Sequence, residues 1–328
     1  MEKKDGREQS PFLLKEESWL NGVDYVFLVG APRSGTTWLQ ALLSSFPEVY
    51  TGLETHFFEV AASLRKTIWN RQVGVSQYWN EEHYHRLLEL LFKDLIFQLP
   101  KPQVQPKYFL EKTPGHCDHA EMILKVFPRA KFIHIIRDGR AVSASMLRVS
   151  KSWGRYWAPS TADEAARRWK RNVDNGLAIR DLVQSPDHYY QIKYEDLRGD
   201  TGGELKKMLK WVGIRATTKD VERVIAENSL DKFKKTSQYE SIPAWPNSGK
   251  KSGERSGFPE GFAGPAPVKP GEVGLTYVQR LQVDYYAGDL LVELGYPGVR
   301  RRFRPWELAT IIGVRWLRKI AVFLKPKS

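Results

Sequence analysis

The residues best placed to do chemistry lie in VFLVGAPRSGTTWLQALL, Val26 to Leu43. Val26 to Gly30 read as a short buried strand, a Gly-, Ser- and Thr-rich turn follows, and Trp38 and Leu39 open a helix. Backbone N–H groups in such a turn and the positive end of the helix dipole point at one spot, which makes the turn a nest for phosphate. The loop has the glycine spacing of GxxxxGK[ST], with Thr37 at the hydroxyl position. Thr36, however, stands where that motif has its lysine, and the positive charge has moved forward to Arg33. A kinase or ATPase needs the lysine on its terminal phosphates. Arg33, Ser34, Gly35, Thr36 and Thr37 suit a single 5′-phosphate held by backbone, hydroxyls and one guanidinium. The plain alternative is a tight strand–helix turn.

A second stretch, KFIHIIRDGRAVSASML, repeats the pattern: a strand at Phe132 to Ile136, then Arg137, a turn at Gly139 and a helix. Arg137 falls at the carboxyl end of its strand, where open α/β sheets bind ligands. Ser145 follows about two helical turns on and can donate a hydroxyl to the same anion. The alternative is an arginine paired with Asp138 or another carboxylate. Asp138 itself imitates a magnesium-binding aspartate, but Arg137 beside it opposes a metal. No cluster in the sequence has metal-ligand spacing.

Together the two motifs resemble the sulfotransferase superfamily, which uses 3′-phosphoadenosine-5′-phosphosulfate (PAPS). The resemblance implies that PRSGTTW is the 5′-phosphosulfate loop and that Arg137 and Ser145 hold the 3′-phosphate. It also implies that Trp38 stacks on adenine and that Tyr194, in YEDL, lies near it. Ser229, in ENSLDKF, is similar to another adenine-side residue. Lys269 and Gly271, in KPGEVG, resemble a loop that wraps the 3′-phosphate, although Pro270 removes an N–H there. The match runs from Val26 to Tyr296, including a closing helix that ends ELGY. GLETHFF resembles the GEET segment of tyrosylprotein sulfotransferases, with Glu54 at the offset of their catalytic glutamate. EKTPGH resembles the lysine-containing segment of the family and the EKTP segment of bacterial and carbohydrate-type enzymes.

Sulfuryl transfer to a hydroxyl acceptor needs in-line attack, a base, and cations on the sulfonate and leaving phosphate. Arg33 and Lys112 supply the cations, and Glu54 is the first choice of base, with His116 and Glu111 as rivals. The base role requires that desolvation raise the Glu54 pKa, and Phe57 and Phe58 offer an apolar setting. The acceptor can be a sugar, a tyrosine, a lipid-linked glycan or a small alcohol or phenol. A P-loop kinase or NTPase, and a non-catalytic nucleotide- or polyanion-binding protein, are the competing readings.

The elements that must position these residues are those of one α/β domain, a P-loop-like central parallel sheet flanked by helices. HYYQIKYEDL suits a further strand, and helical patterns occur at Glu81 to Leu95, Ala162 to Asp181, Gly203 to Val212 and Lys219 to Asn228. The Pro- and Gly-dense stretch Ile242 to Val273 reads as a loop closing over the nucleotide. The division expected is an extension over 1–24, a domain over 25–300, and a basic tail over 301–328. The tail places Leu308, Ile312, Trp316, Ile320 and Phe323 near one helical face. That face can lie on an anionic membrane or pack on the domain. The formal net charge of +13 suits a polyanionic nucleotide, and no nucleic-acid-binding signature accompanies it. A single cysteine, Cys117, and a charged N-terminal stretch without an apolar core point to a reducing, cytoplasmic setting.

Overall fold

The apolar run Asp24–Gly30 forms strand β1 in the computed structural model, which describes residues 19–70, 74–229, 232 and 274–313. Its side chains alternate between two cores, as period-two geometry requires. Tyr25, Phe27 and Val29 enter an aromatic core with Phe58, Phe92, Phe109, Phe127 and Phe132. Val26 and Leu28 enter the opposite core with Leu39, Leu42, Leu110, Ile133 and Ile135. A strand buried on both faces reads as a continuous apolar run, and this one does.

Four more strands join it: β2 (Val49–Thr51), β3 (Tyr108–Glu111), β4 (Lys131–Ile136) and β5 (Tyr189–Lys193). The order is β2-β3-β1-β4-β5, and every pairing is parallel. From β1 the chain first builds β2 and β3 on one side, then returns to build β4 and β5 on the other. The strand order therefore switches beside β1, and all five carboxyl ends open on one edge, where a crevice is expected.

Helices cover both faces: α1 (Thr36–Ser44), α2 (Phe57–Trp69), α3 (Glu81–Phe97), α4 (Ala120–Val126), α5 (Gly139–Val149) and α6 (Ala162–Leu182) come first. Then follow α7 (Tyr194–Gly199), α8 (Thr201–Val212), α9 (Thr218–Glu227), α10 (Tyr277–Glu293) and a helix over 305–313, α11. The four helices expected from periodicity are present. HYYQIKYEDL, expected as one strand, is corrected: the strand stops at Lys193 and Tyr194 starts a helix with Glu195 and Asp196 in its first turn. Acidic residues favour that end of a helix dipole.

Trp19 and Leu20, assigned by sequence to the extension, are buried in the aromatic core. In the tail segment, Glu307 and Ile311 are buried against the domain. The stretch 242–273, and the tail beyond Gly313, lie outside the described residues.

Candidate active site

The carboxyl ends of the strands deliver the expected residues one by one. After β1 the loop turns through Arg33, whose φ of 76° lies in the left-handed region, and Gly35, at 97°. At Gly35 a side chain is excluded twice over, because a Cβ would also sit 2.5 Å from the Tyr194 ring. At Gly30 a Cβ would meet the Ile135 carbonyl oxygen at 2.4 Å, so the loop leaves the sheet only with glycine there. Arg137, which follows β4, stabilises the strained Arg33 by donating from Nη1 to its carbonyl at 3.1 Å. The Arg137 guanidinium also stacks 4.4 Å from the Tyr194 ring centroid. The Arg33 side chain crosses to α5, where Nε donates to Ser145 Oγ at 3.1 Å. The phosphate loop and the Arg137–Ser145 pair, separated by a hundred-odd residues in sequence, are thus one hydrogen-bonded unit.

That unit is prepared for an anion. Burial, then the charges of Arg137 and Arg148, lower the Arg33 pKa to about 10, so cations are crowded together. Helix α1 has no side-chain cap at its N-terminus. The Ser34 hydroxyl is fully buried and has no hydrogen-bond partner. A buried polar group left in this state costs on the order of 1–3 kcal/mol unless a ligand meets it.

On the other side, the end of β3 leads to Lys112 and the end of β2 to Glu54. The Lys112 ammonium, 2% exposed, is hydrogen-bonded to Glu54 and lies 3.4 Å from Thr37 Oγ1 of the phosphate loop. Four further hydrogen bonds pin the Glu54 loop. Gln40 of α1 donates to Thr51 Oγ1 and the Gly52 carbonyl, each at 2.8 Å. Thr55 Oγ1 donates to Glu111 Oε1 at 2.9 Å. His56 N donates to Thr113 Oγ1 at 3.3 Å.

Glu54 differs from expectation in its electrostatics. Burial works to raise its pKa, but the Lys112 charge and the bonds to His56 and Lys112 outweigh it, and the value falls to about 2. The phenylalanines are not its neighbours in the sense expected: Phe58 turns into the core. Instead His56 Nε2 lies 3.5 Å from Glu54, and its Nδ1 lies 3.1 Å from Glu59. Hydrogen bonds to these two carboxylates lift the His56 pKa to about 10 against desolvation.

His116, the rival candidate base, sits away from the cleft. It is fully buried; Nε2 accepts the Phe58 N–H at 3.4 Å. Nδ1 faces Glu111 Oε2 at 2.8 Å, within ion-pair reach though outside hydrogen-bond geometry. Glu111 is buried with it. Burial tends to raise its pKa, but His116 and hydroxyl donors hold it below the usual carboxylate range. Neither side chain lines the cleft. Their network braces the loops that carry Glu54 and Lys112.

Trp38, expected as a stacking surface, is buried with Nε1 donating to the Asn228 carbonyl at 2.9 Å, and its ring meets Tyr194 edge-on. Tyr194 is likewise buried. Ser229 is half-buried and Oγ accepts from Lys232 N at 3.4 Å. Lys269 and Gly271 lie outside the described residues. Asp138 is engaged by Arg140, with Nη2 at 2.7 Å and Nε at 3.0 Å.

Arg33, Thr36, Thr37, Glu54 and Lys112 line one cleft of about 510 Å³, a size suited to a small-molecule ligand. Its remaining wall includes residues the sequence reading missed: His56, Trp153, Trp157 and Arg168. Arg33 lies 5.4 Å from the Trp153 ring centroid. The signal was two tryptophans in SWGRYW just past the Ser145 helix, but nothing in spacing tied them to the loop.

The profile of the sulfotransferase family matches residues 25–218. Protein-tyrosine sulfotransferase 1 of Danio rerio is 25% identical over 214 residues, covering 62% of this chain and 56% of its own. The omega-hydroxy-beta-dihydromenaquinone-9 sulfotransferase Stf3 of Mycobacterium bovis is 26% identical over 250 residues, covering 58% and 62%. The chain therefore spans about three-fifths of the length of these relatives. A solved sulfotransferase domain from the curacin biosynthetic pathway has the same fold. It aligns with a TM-score of 0.50 at 15% identity, over 82% of this chain and 97% of that one.

Proposed function

The chain belongs to the sulfotransferase family, and from that premise we propose that it moves the sulfuryl group of PAPS to a hydroxyl acceptor in the cytoplasm. The observation that carries the reading is Lys112, a buried cation bridging the phosphate loop at Thr37 and the carboxylate of Glu54. The phosphate loop supplies uncapped N–H groups and the Ser34, Thr36 and Thr37 hydroxyls for the 5′ end. Arg137 and Ser145 hold the 3′-phosphate. The unpartnered Ser34 hydroxyl and the crowded arginines fit such a bisphosphate. When bound, PAPS brings an activated sulfuryl group and a good leaving group.

In this reading Glu54 takes the proton of the acceptor hydroxyl, while Lys112 and Arg33 neutralise negative charge that grows in the transition state. The low pKa of Glu54 belongs to its pairing with Lys112 and His56. An anion beside Thr37 competes for Lys112 and so weakens the first of the two partners that hold the carboxylate down against burial. Trp153 and Trp157 give the acceptor an aromatic wall, which suits the tyrosine and hydroxylated quinone in the names of the two relatives. A kinase-like reading is disfavoured, because Arg140 already engages the aspartate that would have held magnesium.

Titration calorimetry tests the proposal. Adenosine 3′,5′-bisphosphate binds without magnesium and far better than ATP, and Arg137→Ala weakens it at least tenfold, as loss of a charge-assisted bond requires. Equal affinity for the two nucleotides overturns the reading. Labelled sulfate transferred from PAPS across a panel of phenols, alcohols and glycans then identifies the acceptor.

A further inference from the structure

Helix α11 is docked by Glu307 and Ile311, with Arg300 and Tyr277 both holding the buried Glu307 carboxylate. Of the residues that begin the apolar stripe expected from sequence, Leu308 is half-buried and Ile312 falls off that docked face, 46% exposed. Trp306, 53% exposed, stacks on Tyr277, 54% exposed, with ring centroids 6.4 Å apart. Phe303 packs edge-on against the exposed Tyr285. Arg301, Arg302 and Arg304, interleaved with these rings, are all exposed. The sequence after Gly313 adds five Lys and Arg and no acidic residue.

We propose that this face docks on an anionic lipid surface. Exposed apolar rings beside several guanidinium groups have the composition of a bilayer interface binder: ring bodies enter the headgroup region while the charges meet lipid phosphates. A second copy of this strongly basic chain offers the wrong charge for three arginines. The docking also bears on the acceptor, a point that rests on the sulfuryl-transfer reading. Tyr286, whose ring lies 5.0 Å from Tyr285, lines a groove with Arg167, Arg168 and Trp157. Trp157 and Arg168 also wall the cleft. A hydroxyl carried by a bilayer lipid would reach Glu54 along that groove.

Co-sedimentation of the full chain with vesicles tests the surface independently of any transfer reaction. The protein pellets with mixed phosphatidylcholine–phosphatidylglycerol vesicles, not with phosphatidylcholine alone, and salt releases it. The triple variant R301Q/R302Q/R304Q binds those vesicles roughly a hundredfold more weakly, from the usual contribution of each basic residue near a charged bilayer. Trp306→Ser also weakens binding. Both variants keep the wild-type circular dichroism and bisphosphate affinity, so failure of docking is separable from failure of the nucleotide reading. Wild-type protein that stays in the supernatant, or a triple variant that pellets like wild type, overturns the proposal. So does light scattering that shows a dimer lost in Trp306→Ser without vesicle binding.

Discussion

Replacing Glu54 by Gln strikes the contact on which the site turns. It removes the charge that compensates Lys112 and leaves a cation, 2% exposed, with only neutral oxygens in reach, the Gln amide oxygen and Thr37 Oγ1 at 3.4 Å. Breaking one side of a fully buried pair costs about 3–5 kcal/mol. The Glu54 side chain is 35% exposed, so water can reach the orphaned ammonium's surroundings, and about 2 kcal/mol is the reasonable figure. For a domain of this size that lowers Tm by roughly 4–8 °C. The diagnostic is a double-mutant cycle by thermal unfolding at neutral pH. Lys112→Met in the Glu54→Gln background removes the orphan charge, so the double variant loses less than the sum of the singles, with a coupling of about 1–2 kcal/mol. Sulfate added to Glu54→Gln restores more stability than it adds to wild type, because the ammonium takes the anion as its partner. A Glu54→Gln Tm within about 1 °C of wild type, or strict additivity in the cycle, refutes the reasoning.

Once an acceptor is known, Glu54→Gln lowers kcat by about 10²–10⁴-fold with bisphosphate affinity within a few-fold, as loss of a general base requires. His116→Gln lowers Tm and leaves the kcat of the surviving folded enzyme near wild type; a dead but stably folded His116→Gln would make the histidine the base. The His56 pKa is raised from its ordinary 6.5 to about 10, so its contribution is fully present below pH 6.5 and is lost as pH climbs through 10. Because the ring is 52% exposed, the contribution is about 1 kcal/mol after screening, and wild type loses roughly 2–4 °C of Tm over that window relative to His56→Gln. Parallel melting curves for the two proteins across the window would refute this contribution of His56.

What could be read ahead of the structure was local. The β1 run, the glycine turn after it, and the helices at Glu81, Ala162, Thr201 and Thr218 each carry their signal within a few residues. Asn80 and Thr161, for example, cap their helices by accepting from His83 N and Glu164 N. Strands β2 and β3 are three and four residues long, too short for a period, and exist because neighbours pair with them. Tyr194 could be placed near the site but not on a helix, since the turn from β5 to α7 leaves no glycine or proline mark. Motif and spacing named Arg33, Glu54, Lys112 and Arg137 as candidates, whereas the couplings between them carry no local signal. Lys112 and Glu54 are 58 positions apart, and no local pattern says that the pair depresses a carboxylate expected to be raised. The burial of His116 depends on the Phe58 N–H and Glu111, and its sequence neighbours carry no trace of that.

The bond from Arg33 Nε to Ser145 Oγ gives the loop a resting place for its longest side chain. A free arginine surrenders about 2 kcal/mol of rotamer entropy when a ligand fixes it. Here much of that ordering is complete when the chain folds, so under the proposed function a nucleotide would meet a guanidinium already held in place. The same bond uses only an acceptor lone pair of Ser145, so its hydroxyl hydrogen stays available to donate to an anion beside α5 while Arg33 remains in place.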